Sequence, residues 1–83
     1  MKKTDLLKIP GVGKQIKQNL IELGYTNVES LKDQDPEQIY EKLNKKQGCI
    51  VDRCMLYVFR CAVYYASNEV YDLEKLKWWN WKD

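Results

Sequence analysis

No histidine occurs among the 83 residues. The most common general base and a frequent metal ligand are therefore missing. Cysteine is scarce too, and its count is odd: Cys49, Cys54 and Cys61 do not read as a disulfide framework. Seven helical residues span about 10.5 Å. That exceeds the Cα separation of roughly 7 Å that a disulfide tolerates, and it is too far for two thiolates to share a zinc. Cys54 and Cys61 are so excluded as a pair. Cys49 and Cys54 could meet only if the following helix starts late. Core packing is the expected role of the cysteines, with Cys49 as the candidate for a reactive thiol. No nucleophile has a base beside it, and no carboxylates cluster at metal spacing. The chain is expected not to be an enzyme and to need neither metal nor cofactor.

Two further features are weak. The net charge is only +2, too little to announce a nucleic-acid binder by itself. No long apolar run occurs, and no apolar segment follows the basic start Met1-Lys2-Lys3-Thr4-Asp5. The expectation is a cytoplasmic protein with reduced thiols, no signal peptide and no membrane span. Its length suits one domain, residues 1–83.

Against these absences stands one concentrated feature, Ile9-Pro10-Gly11-Val12-Gly13-Lys14. Pro10 stops the segment before it. Gly11 and Gly13 allow backbone conformations closed to other residues and leave room for a close approach. Lys14 opens the next helix, whose positive end suits a phosphate. Charge follows the same logic. Residues 1–24 carry five Lys against Asp5 and Glu22, a local excess that no later part of the chain matches.

The chain divides into two hairpin-like units (residues 1–48), a central helix (49–68) and a Trp-rich tail (69–83). A short first helix is expected to be capped by Thr4 or Asp5 and to run to about Lys8, with Leu6, Leu7 and Ile9 on its apolar side. A second runs from about Lys14 to Leu23, where Ile16, Leu20 and Leu23 form one stripe and Gly24 the left-handed stop. A third starts at Asn27 and carries Val28 and Leu31. Asp35-Pro36-Glu37-Gln38 then gives a cap, a proline at the first helical position and a capping-box glutamine. Ile39, Tyr40 and Leu43 are that fourth helix's buried side, and Gly48 ends it. Residues 27–43 read as a degenerate copy of the first unit, whose turn has lost both glycines and gained acids. Val51 to Ser67 is apolar nearly all round and is expected to be a buried helix. Arg53 and Arg60 lie on one side of it, for a salt bridge or a second phosphate contact. Trp78, Trp79 and Trp81 are either a lid over a small core or an exposed surface for a partner protein or a base.

Leu-Leu-x-Ile-Pro-Gly-Val-Gly-Lys, with the apolar period after it, resembles the helix-hairpin-helix motif of sequence-nonspecific DNA-binding proteins over roughly Asp5 to Tyr25. In that motif the two-glycine hairpin donates backbone N–H groups to phosphates of one strand. Val51-Asp52-Arg53-Cys54, the run from Tyr57 to Ala66, and Lys77-Trp78-Trp79-Asn80-Trp81-Lys82-Asp83 resemble the bacterial "pathogenicity locus" family of small helix-hairpin-helix proteins. That likeness covers essentially the whole chain and implies a fold and a DNA-binding motif, without a mechanism. A looser likeness, without the Trp tail, is to the C-terminal domain of the TfoX competence regulators.

The expected fold is all-α: about five helices in a tandem helix-hairpin-helix, SAM-like arrangement around one long buried C-terminal helix. The leading expectation is weak, sequence-nonspecific binding to the DNA backbone. Gly11, Val12 and Gly13 would supply amides, and Lys14 and Lys17 charge. The alternative is a protein-interaction module using the Trp tail or a helix face.

Overall fold

The computed structural model describes residues 5–68 and 70–82. Within them every regular element is helical and none is a strand. There are three α-helices: α1 (Lys14–Glu22), α2 (Pro36–Gln47) and α3 (Cys54–Ser67). Short 3-10 helices occupy Leu6–Lys8, Glu29–Leu31, Leu73–Leu76 and Trp78–Trp81.

This corrects the expectation of about five helices. The segments read as the first and third helices are single 3-10 turns of three residues each. So short a segment cannot pay for an α-helical nucleus, and the tighter i→i+3 bond is what remains open to it. Nor does Asp5 cap the first turn. Its Oδ1 accepts the Val28 N–H at 2.8 Å, which ties the start of the described chain to the second unit. Thr4, the other expected cap, lies outside the described residues.

The helix ends are set by local chemistry. α1 stops in a Schellman arrangement: Gly24 takes φ +101°, Tyr25 N–H reaches Leu20 O at 2.9 Å, and Gly24 N–H reaches Ile21 O at 3.0 Å. α2 begins with Pro36 after Asp35, whose Oδ1 accepts the Glu37 N–H at 2.9 Å. Gln38, expected to complete a capping box, makes no return bond to Asp35 among the described residues. Gly48, at φ +72°, ends the helix.

α3 starts at Cys54, later than Val51, because residues 49–51 are pulled back onto α2. Asn44 O accepts the Cys49 N–H, Asn44 Oδ1 accepts the Val51 N–H at 2.7 Å, and the Tyr40 hydroxyl donates to Val51 O. Asp52 Oδ1 then accepts the Cys54 N–H at 2.9 Å, which holds the Asp52 carboxyl below its usual range. With the helix starting there, Cys49 and Cys54 are exposed and only Cys61 is buried, so core packing describes one cysteine of the three.

Phe59, Leu56 and Ala62 of α3 meet Ile39 and Leu43 of α2, with Leu6, Ile9, Leu20 and Leu31 closing the sides. Burying each large side chain contributes roughly 1.5–3 kcal/mol against the unfolded chain. α3 packs on α2, on the Glu29–Leu31 turn and on both 3-10 helices of the tail. Among the described residues no helix is long and apolar enough to cross a membrane.

A candidate phosphate-binding turn

Pro10 and Gly11 form the middle of a type II β-turn. Proline occupies the position that needs φ near −60°, Gly11 takes φ +88°, and the Val12 N–H closes the turn onto Ile9 O at 3.1 Å. The Val12 amide is therefore spent inside the protein, and its side chain is buried at 6 % exposure. This removes Val12 from the expected set of outward donors. It remains as the residue that roots the turn in the core, with Ile16 packed against the same cluster.

The two glycines are there for different reasons. At Gly11 the positive φ alone disfavours a side chain, and a Cβ would stand 2.8 Å from Cδ1 of Trp78. Gly13 has ordinary extended backbone (φ −97°, ψ −171°), and a Cβ would meet nothing within 4 Å. Nothing in the fold itself demands glycine at that position.

Gly13 is the N-cap of α1 and offers no side-chain oxygen to its first turn. Among the described residues, the N–H groups of Gly11, Gly13, Lys14, Gln15 and Ile16 find no acceptor, and the first intrahelical bond comes from Lys17 to Gly13 O at 2.9 Å. Four such orphans are the normal state of a helix start, usually relieved by a capping side chain or an acid. α1 has no acid in its first turn. It has Lys14 instead, exposed, with Lys17 half-buried one turn on. Neither has an ion-pair partner among the described residues. A cation at a helix N-terminus opposes the macrodipole, by about 0.3–1 kcal/mol at exposed sites.

The turn rests on α3 and on the tail. Cys61 is fully buried, and its Sγ faces three carbonyl oxygens, those of Leu76 at 3.4 Å, Lys75 at 3.6 Å and Pro10 at 3.9 Å. Burial pushes this thiol up to about 11. Trp78, half-buried, lies against Gly11 and the core. This contact was not legible in the sequence, since no local signal links residues so far apart along the chain. Trp81 is tied down as well: its Nε1–H donates to Lys75 O at 2.7 Å, and its ring sits 5.6 Å from that of Tyr64. Arg60 braces the tail by donating to Trp81 O at 2.8 Å while pairing with Glu37 at 3.5 Å. Trp79 alone of the three is exposed, with about half of its surface in solvent.

A separate groove lies between α2 and residues 50–56, lined in part by Glu37, Glu41 and Arg53. Its two acids make it a poor seat for phosphate.

A family model described as Cdd1, Pathogenicity locus, matches residues 1–83. The chain is 28 % identical over 78 residues to "Mitomycin resistance protein McrB" of Streptomyces lavendulae, covering 94 % of this chain and 70 % of that relative. No solved structure matches.

Proposed function

The chain belongs to the Pathogenicity locus family, and we propose that it binds the DNA backbone weakly and without regard to sequence, through a helix-hairpin-helix-type turn and the start of α1. Binding, not catalysis, is the role. The amides of Gly11 and Gly13 donate to phosphate oxygens, and those opening α1 add the positive end of the helix. Lys14 and Lys17 supply charge, and Val12 holds the loop to the core.

Gly13 is the observation that carries this reading. The fold has no need of a glycine there, yet the position lacks the capping side chain that would stabilise α1. A bare, uncapped helix start beside two lysines with no ion-pair partner among the described residues suits an anion brought from outside.

The test is a fluorescence anisotropy titration of a short DNA across a salt series. With about three phosphates neutralised, log K against log salt should fall with a slope near −2.7. The Lys14→Glu/Lys17→Glu variant should bind far more weakly while keeping its helical circular dichroism. Undetectable binding at low salt, or unchanged binding by the variant, would refute the proposal.

A second reading is favoured by a different observation. The tail exposes Val70 at 87 %, Leu73 at 76 % and Trp79 at 49 %. As a protein-contact surface it would give association that survives high salt and weakens on Trp79→Ala.

A further inference from the structure

Trp79 is one ring removed from the glycine turn. Trp78 lies against Gly11, where a Cβ would be 2.8 Å from its Cδ1. Trp79 meets Trp78 edge-on, with ring centroids 5.8 Å apart and planes at 87°. The first ring is spent on packing, while the second is half in solvent. Because Trp79 offers Trp78 only an edge-to-face contact, that contact does not cover both of its faces with another ring. In the 3-10 geometry of Trp78–Trp81, side chains three apart eclipse one another. Trp78 and Trp81, both partly buried, share the inward side. Trp79, exposed, lies on the outward one.

An exposed indole beside the proposed phosphate-binding turn has a natural occupant. Duplex DNA keeps its base faces stacked and presents only backbone and groove edges. An unpaired strand offers both the phosphate for the turn and a bare base for the ring. We infer that the preferred ligand is an unpaired nucleotide strand, one of whose bases stacks on Trp79 while a neighbouring phosphate sits at Gly13 and Lys14. This inference rests on the backbone-binding reading above. It adds to it a strand class and a base contact.

The probes are an oligothymidylate, the matching oligouridylate, an abasic strand of equal length and a duplex, each titrated at low salt by anisotropy and by tryptophan fluorescence. The base-bearing single strands should bind about tenfold tighter than the abasic strand and the duplex, with quenching of tryptophan emission. The better of the two names the source as DNA or RNA. Trp79→Ala should bring binding down to the abasic level, and Trp79→Phe should restore most of it. Should Trp79→Ala fail to fold, the contrast between base-bearing and abasic strands on the unaltered protein decides. Equal binding of all four ligands, preference for the duplex, or a tenfold preference that survives Trp79→Ala overturns the inference but leaves the turn as a backbone site. Loss of all binding overturns both.

Discussion

Two turns of one type lead into α1 and α2, and they are finished in opposite ways. Ile9-Pro10-Gly11-Val12 closes with Val12 N–H to Ile9 O, and Leu31-Lys32-Asp33-Gln34 closes with Gln34 N–H to Leu31 O at 3.2 Å. The third residue of each has positive φ, +88° at Gly11 and +59° at Asp33. The next position but one is the helix N-cap, Gly13 in the first and Asp35 in the second. Each turn is also moored to α3, the first through Cys61 and the second through Ser67, whose Oγ accepts the Asp33 N–H at 2.9 Å. Where one turn has two glycines, the other has two aspartates.

The difference lies in who satisfies the helix start. At α2 the Asp35 carboxylate takes the Glu37 amide, and Glu37 adds an acid to the first turn. That end is complete within the protein and would repel a phosphate. At α1 the cap is bare and the nearby charges are positive. One scaffold thus appears once as a stabilised helix end and once as an unfinished one. The unfinished copy is the one with chemistry left to offer.

Exchanging features between the two turns is the sharpest way to break this comparison. Gly11→Ala should be the most damaging change, destabilising by about 2–3 kcal/mol in urea denaturation, because backbone strain adds to the clash with Trp78. The mirror change, Asp33→Gly, should move stability by less than about 1 kcal/mol in either direction. Similar losses from both changes would mean that the two turns are not strained in the way described.

The mooring of the first turn should show in its response to pH. Cys61 is buried as the neutral thiol, and its value is raised from 9.0 to about 11. The unfolded chain ionises first. The stability this group contributes is therefore whole below pH 9 and is lost as pH rises from 9 toward 11, by on the order of 2 kcal/mol. Chemical denaturation at pH 8 and pH 10.5 would measure it, and Cys61→Ala should flatten the difference. In native protein, iodoacetamide should label the exposed Cys49 and Cys54 and spare Cys61.

Exchanging the caps gives the smallest stability effects and separates stability from binding. Asp35→Ala should cost about 1 kcal/mol and leave DNA affinity unchanged. Gly13→Asp should raise stability by a few tenths of a kcal/mol, since it completes the cap of α1. The same substitution should abolish DNA binding, because a carboxylate then occupies the anion's place. Thermal melts beside anisotropy titrations would resolve the two effects. A Gly13→Asp protein that binds DNA normally would remove the phosphate role from this helix start.

What was legible in the sequence was local. Asp35-Pro36 announces a helix start, and Gly24 and Gly48 announce helix ends, because each acts on bonds within a few residues of itself. Pro10-Gly11 likewise fixes the turn, and its type implies that the Val12 amide is used internally. That consequence is readable from the dipeptide and takes the amide out of the ligand's reach. The 3-10 turns were not legible, because three residues are too few to show a helical period. The exposure of Cys54 was hidden by the late start of α3, which depends on Asn44 and Tyr40 reaching across from α2. The seating of Trp78 on Gly11, and with it the exposed position of Trp79, depends on how the tail folds back over α3, which no spacing rule encodes.

The central claim is that the start of α1 receives an anion and the start of α2 does not. Two-dimensional 15N–1H spectra recorded while a single-stranded oligonucleotide is titrated at low salt test it most directly. The amide signals of Gly11, Gly13, Lys14 and Gln15 should shift together and saturate, while those of Glu37 and Gln38 stay in place. Stationary signals at the first helix start, or equal movement at both, would contradict the account.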